Sequence, residues 1–292
     1  MIERVTIIGT GLIGASIGLA LREAGFEGAI TGIDSNSEER SAALQMGAVD
    51  EVKIGSAGEK LEVEQADLIV LAVPVLAILD WMQKLAPMLG PHQLVTDVGS
   101  TKLRIAEMAA ELFSNQSTAR FLPGHPMAGK ESGGAALAEA GLFRGATWLF
   151  TPVDDAGPAE PLEAEWRAWV AKFGARTLDL DAQRHDELCA WVSHLPQMLS
   201  TALAALLEET FGADAQGREE IAAIGGRALR ETTRLGASPY SMWRDVALTS
   251  TGPIAATLHA LEQRLAHVRE SLRTPELREE FRLANQFRAR RE

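Results

Sequence analysis

Two groups of residues have the types and spacing to do chemistry. In FLPGHPMAGKESGG (121–134), His125 stands between Gly124 and Pro126. Proline removes a backbone donor and drives the preceding residue toward an extended conformation. The segment therefore predicts a rigid loop, neither helix nor mid-sheet strand, that presents one imidazole. Near pH 7 a neutral imidazole can accept a proton; the plain alternative is a histidine in a turn. The second group is GTGLIG (9–14), where Gly9, Gly11 and Gly14 have the G-x-G-x-x-G spacing and Asp34 follows Gly14 by twenty residues. That pattern suits a pyrophosphate. Gly9 permits a tight turn, Gly11 lets the phosphates approach the backbone, and Gly14 lets helix and strand pack closely. Leu12 and Ile13 open the helix, whose N-terminus offers unpaired N–H groups and partial positive charge. An acid at Asp34 accepts hydrogen bonds from the adenosine ribose and repels a 2′-phosphate. Ser35 and Asn36 follow it rather than an arginine, so the expected cofactor is NAD rather than NADP. A glycine turn with Asp34 as a simple cap is the alternative.

These groups need elements to hold them. Short β-like runs at Val5–Ile8, Ala29–Ile33, Leu68–Val73, Leu94–Thr96 and Thr147–Phe150 alternate with helical patterns at Leu12–Ala24, Glu38–Met46, Val75–Leu85 and Lys102–Leu112. That rhythm predicts an α/β fold of Rossmann type, a doubly wound and mostly parallel sheet with its ligands at the C-terminal edge. Val73 and Pro74 close one strand at that edge, and DVGSTK (97–102) closes the next, where Asp97 or Ser100 could simply cap a helix. TPVDDAGPAEP (151–161) reads as a surface loop before a further helix at 163–173 and strand at 176–180. Beyond residue 182, helical patterns take over at 184–209, 217–235, 239–249, 253–272 and 276–291. The expected domains are 1–181, dinucleotide-binding, and 182–292, all-helical.

Composition narrows the classes. The chain has 292 residues, 46% of them apolar and 23% charged, as in an ordinary globular protein. A net charge of −12 disfavours nucleic acid or an anionic membrane as partner. The single cysteine, Cys189, excludes an intramolecular disulfide and a cysteine-rich metal site. With no signal-peptide pattern and no apolar run long enough to span a bilayer, a cytoplasmic location and no metal are expected.

GTGLIGAS, DVGSTK, GHPMAGKE, VSHLP (192–196) and ETTRLGASPYSMWRD (231–245), in this order, resemble the prephenate and arogenate dehydrogenases of tyrosine biosynthesis. The resemblance runs over most of the chain and fades after about residue 270. It implies NAD-dependent oxidative decarboxylation of a cyclohexadienol: hydride leaves ring C4, the C4 hydroxyl loses its proton, and the ring carboxylate departs as carbon dioxide. Such a reaction needs an acceptor for the hydroxyl and a cation for the carboxylate. By resemblance, His125 is the acceptor, Ser100 bonds both His125 and the substrate hydroxyl, and Arg234 holds the ring carboxylate. His194 and Ser193 are a polar pair at the substrate pocket, and Trp243 is a residue that family members contribute across a dimer interface. Taken alone, His194 could be a core histidine, and Arg234, with Arg227 and Arg230, a solvated basic face.

The chain departs from the pattern at Gln197, where many prephenate-using members carry a second histidine near the pyruvyl side chain. That leaves prephenate and arogenate both open as substrates. Asp186 reads as a cap, a salt bridge or part of an ionic network, and His92, His185, His259 and His267 as structural. Apolar stripes at Leu199, Leu203, Leu206 and at Leu258, Leu261, Leu265 are either private core or dimer seam; the resemblance favours a homodimer. Two other readings remain: a β-hydroxyacid-type dehydrogenase, which would use a second-domain lysine although none follows Lys172, and a non-catalytic NAD sensor.

Overall fold

The computed structural model describes residues 1–55, 62–114, 117–130, 132–153 and 161–290. Six parallel strands form the main sheet: β1 (Arg4–Ile8), β2 (Ala29–Asp34), β3 (Glu51–Ile54), β4 (Leu68–Leu71), β5 (Leu94–Asp97) and β6 (Arg120–Leu122), in the order β3-β2-β1-β4-β5-β6. The order reverses beside β1, which opens a crevice between the ends of β1 and β4. Helices α1 (Leu12–Glu23), α2 (Ser37–Gln45), α3 (Val75–Leu85) and α4 (Leu103–Leu112) make crossovers between the strands. Neighbouring residues face opposite layers: Ile7, Val70, Leu94 and Leu122 pack in one apolar cluster, and Ile8, Leu71, Val95 and Phe121 in the other. Burial on both faces explains why these strands read as nearly continuous apolar runs.

Strand β3 departs from the expected pattern. Glu51-Val52-Lys53-Ile54 alternates charge with apolar residues because it is the sheet edge, where charge discourages further pairing. The segment at 147–150 is a strand, but it lies outside the main sheet. It is β8 (Thr147–Phe150), in a three-stranded sheet ordered β7-β8-β9 with β7 (Gly124–Pro126) and β9 (Arg176–Asp179). The expected rigid loop around His125 is therefore corrected to a short strand, antiparallel to β8 with His125 opposite Leu149. Pro126 is tolerated because β7 is the edge strand, where a missing donor breaks no ladder. Behind this sheet α5 (Pro161–Lys172) brings Trp166 edge-on to Trp148, with ring centroids 5.9 Å apart. Most of the anticipated loop at 151–161 lies outside the described residues.

The rest is helical. The pattern expected as one helix over 184–209 is α6 (Ala182–Cys189), a π-helical turn over Ala190–His194, and α7 (Leu195–Phe211). Pro196 cannot donate to the preceding turn, which accounts for the widening there. Next come α8 (Ala215–Ile224), a break at Gly225–Gly226, α9 (Arg227–Thr233), a 3-10 turn at Arg234–Ala237, α10 (Tyr240–Thr249), α11 (Thr251–Glu270) and α12 (Glu276–Ala289). Two contacts dock α10 onto the sheet domain: Thr249 Oγ1 lies 2.7 Å from Thr101 Oγ1, and the Asp245 carboxylate accepts from the Leu76 N–H at 3.2 Å. Among the described residues, no helix is long and apolar enough to cross a membrane.

Candidate active site

The glycine loop is built as its spacing requires. Gly9 has φ +96°, and a Cβ there would lie 2.4 Å from the Ala72 carbonyl oxygen. A Cβ on Gly14 would lie 1.9 Å from the Gly9 carbonyl oxygen, so α1 starts against the turn at the end of β1. Gly11 faces open space, and no side chain caps the helix it begins. Free first-turn N–H groups beside an open backbone make an anion cradle. Gly9, Gly11, Asp34, Val73 and Pro74 line a cleft of about 350 Å³ that also reaches Trp81. One Asp34 carboxylate oxygen accepts from the Thr10 N–H at 2.8 Å and the other from the Asn36 N–H at 2.9 Å, pinning the glycine loop to the turn after β2. An arginine does stand near this turn: Arg40 donates to the Asp34 carbonyl at 2.7 Å. It is out of sequence contact with Asp34 and comes close through the first turn of α2.

A second cleft, of about 380 Å³, adjoins the first and is lined by Leu12, Ile13, Val73, Pro74, Ser100 and His125, closed on the helical side by Met242. β7 presents His125 here, 8% exposed. Its Nδ1 lies 2.9 Å from His185 Nε2, and His185 Nδ1 lies 2.8 Å from an Asp186 carboxylate oxygen. Asp186 also accepts from the N–H groups of Lys102 at 2.7 Å and Leu103 at 3.1 Å, so it caps α4 from α6. Lys102 Nζ and Asp97 form a fully buried ion pair, and the other Asp97 oxygen accepts from the Gly124 N–H at 3.1 Å. The end of β5 thereby fixes the residue before His125.

Burial sets the protonation states. Desolvation pushes His125 well below the ordinary histidine range, helped by nearby His185, Lys102 and His194. His185 is lowered by burial against the opposing pull of its Asp186 hydrogen bond. Burial lowers His194 to about 4 and raises the Cys189 thiol to about 12. Lys102 is lowered by burial, with Asp97 opposing. A neutral, acceptor-capable imidazole is what this environment favours.

The helical side supplies the rest. His194, 1% exposed at the end of the π-helical turn, packs edge-on against Trp243 of the same chain with ring centroids 5.8 Å apart. Among the described residues, His194 Nδ1 and Trp243 Nε1 are buried with no hydrogen-bond partner. Ser193, on the same turn, is half-buried. Gln197 is spent otherwise: its amide donates to the Leu235 carbonyl at 2.7 Å and to Thr201 Oγ1 at 3.1 Å, and its oxygen accepts from Ser238 at 3.2 Å. It clamps the 3-10 turn onto α7. Arg234 begins that turn, exposed, and does not line the cleft that holds His125.

Sequence reasoning missed His185, Asp97 and Lys102 as parts of the site. The usable signal was the spacing of His185 and Cys189, four apart on α6 and both buried toward His125.

Comparison with known proteins gives the arrangement its relatives. Residues 17–178 match the family model described as prephenate dehydrogenase, nucleotide-binding domain, and residues 181–288 match prephenate dehydrogenase, dimerization domain. The chain belongs to the prephenate dehydrogenase family. It is 31% identical over 275 residues to a prephenate dehydrogenase of Lactococcus lactis subsp. cremoris, an alignment covering 92% of this chain and 70% of the relative. Among solved structures, the prephenate dehydrogenase from A. aeolicus in complex with hydroxyphenyl propionate and NAD+ superimposes with a TM-score of 0.86 at 26% identity, covering 100% of this chain and 99% of that one. Synechocystis arogenate dehydrogenase gives 0.78 at 28% identity, covering 99% and 100%. Family membership and the Rossmann-type sheet followed by helices agree with the resemblance carried by GHPMAGKE, SHLP and the segment at 231–245.

Proposed function

We propose that the chain catalyses NAD-dependent oxidative decarboxylation of prephenate, with arogenate as the alternative substrate. The observation that carries this reading is a buried, neutral His125 in a cleft that continues into the anion cradle of the glycine loop. The cradle fits the cofactor's pyrophosphate, because Gly11 leaves open the space a side chain would fill and α1 has no side-chain cap. When bound, NAD supplies the hydride acceptor. Asp34 sits where it can meet the adenosine ribose, while Arg40 beside its carbonyl offers one positive charge near the same turn.

The chain's own residues handle the proton and the substrate charges. His125 accepts the C4 hydroxyl proton, and Ser100, on the same cleft, hydrogen-bonds the hydroxyl. Electrons released by loss of the ring carboxylate aromatise the ring, so no covalent nucleophile is needed. The family resemblance assigns Arg234 the ring carboxylate, which its guanidinium fork matches, from an exposed turn outside the lining of the His125 cleft. His194, Ser193 and Trp243 face the rest of the substrate, a role supported by the unpaired buried atoms of His194 and Trp243. Gln197 contributes at one remove, by holding the turn that carries Arg234. The division at 181/182 separates the cofactor-binding part from the substrate-binding helices, and the site lies at their junction.

The working unit is assigned as a homodimer. Among the described residues after 181, the buried apolar side chains are Cys189, Ala190, Val246 and Ile254, too few for a helical core. Leu199, Leu206 and Leu265 are 46%, 59% and 54% exposed. Of the two readings of these stripes, a seam between copies is the one this exposure supports.

The test is NADH formation, followed by its near-ultraviolet absorbance, with prephenate and arogenate in parallel and with NAD or NADP in each. Turnover of prephenate with NAD is expected. Silence in all four combinations contradicts the reading, and activity with NADP alone contradicts the role of Asp34.

A further inference from the structure

We propose that His185 and Asp186 are positioning residues that fix the tautomer of His125, so that its Nε2 faces the cleft as the proton acceptor; this rests on the reading of His125 given above. With His185 neutral, the form its burial favours, the contacts allow one assignment of hydrogens. Both Asp186 oxygens already accept from backbone N–H groups, of Lys102 and Leu103. The 2.8 Å contact from His185 Nδ1 to Asp186 is therefore N–H donating to carboxylate. A neutral His185 protonated on Nδ1 has only a lone pair on Nε2. His125 must then donate its Nδ1–H across the 2.9 Å contact, which leaves its Nε2 unprotonated. Cys189 agrees with this polarity: its thiol lies 3.5 Å from the same His185 Nε2 and stays protonated, a second, weaker donor to that nitrogen.

The chemical consequence parallels the serine-protease arrangement, with an imidazole interposed between acid and base. When Nε2 takes the C4 hydroxyl proton, the positive charge on His125 is met through His185 by the Asp186 carboxylate. Without that chain, an isolated imidazole prefers its proton on Nε2, and the lone pair would point away from the substrate. The relay is closed: His185 is 0% exposed and Asp186 2%. The charged and titratable groups facing it are Asp97 from β5, Lys102 at the start of α4, Cys189 on α6 and His194 on the π-helical turn. Asp97 and Lys102 pair with each other, so Asp186 is the carboxylate that faces the relay.

The test uses the full chain with His185→Leu, His185→Gln and His125→Asn, each checked for folding by circular dichroism and for NAD affinity. His185→Leu should lower kcat by about 10²-fold or more with KM little changed. The acid limb of its kcat profile should move to lower pH, because the carboxylate no longer supports the imidazolium. His185→Gln, whose amide oxygen can accept in place of Nε2, should recover kcat to within about tenfold of the unmodified protein. Nitrogen-15 spectra of the imidazoles should show His125 protonated on Nδ1 in the unmodified protein and in His185→Gln. A folded His185→Leu with unchanged kcat and pH profile overturns the relay. So does a His125 proton on Nε2 in the unmodified protein, a readout that stands even where His185→Leu does not fold. Turnover retained in His125→Asn contradicts instead the acceptor role of His125, and the tautomer spectra decide the relay without needing turnover.

Discussion

At the residue scale, the candidate site gathers three histidines that burial holds toward the neutral form. His125, His185 and His194 all have their protonated forms disfavoured by desolvation. In the unfolded chain each returns to about 6.5. Below that pH the unfolded state binds protons that the native state refuses, so stability falls as pH drops. For His194 the window runs from about 6.5 down to about 4. Chemical denaturation at a series of pH values should show the unfolding free energy declining below about pH 6.5, by up to about 1.4 kcal/mol per pH unit for each such histidine. His194→Phe, which fills the space without titrating, should flatten part of that slope; an unchanged slope would remove His194 from the explanation. The glycine turn was legible in its local spacing, and the order of strand ends put Ser100 and His125 on one crevice, as they are in the cleft. His185 was not, since its partner is 60 residues away and meets it through tertiary packing alone.

At the element scale, the site is assembled from ends: the start of α1, the ends of β4 and β5, the edge strand β7, and α6 with its π-helical turn. Alternation of apolar and helical patterns predicted most of these. β7 was hidden because three residues ending in proline carry no strand periodicity; its pairing with β8 is decided by where the chain returns after residue 146. The π-helical turn was hidden too, because its apolar pattern runs on as if helical. Gln197 shows how one side chain can hold an element in place, tying the 3-10 turn to α7. Gln197→Ala leaves the half-buried Leu235 carbonyl without its donor, costing about 0.5–1.5 kcal/mol. The freed turn should raise KM for prephenate roughly tenfold with kcat changed far less, in the direction expected of Arg234→Ala. A KM equal to that of the unmodified enzyme would show that the turn does not position Arg234.

At the scale of the whole molecule, the two halves bury apolar surface very differently. Both large apolar clusters belong to the first 175 residues, while the helices beyond leave leucines at their surfaces. Periodicity could locate the stripes but not say what covers them, because a private core and a subunit seam have the same spacing. Leu206→Glu combined with Leu265→Glu should convert a dimer to monomers in light scattering after size exclusion, and lower thermal stability with it. A monomeric parent protein, or a double variant that remains dimeric, would place the seam elsewhere.

The measurement that bears most directly on the account is the comparison of His125→Asn with the unmodified protein in prephenate turnover and in prephenate binding. Asparagine keeps polarity and approximate size but cannot take up the hydroxyl proton. The account predicts that kcat falls by about 10²–10⁴-fold while the prephenate Kd changes little. Undiminished kcat, or a loss explained wholly by weaker binding, would contradict His125 as the acceptor at the centre of this site.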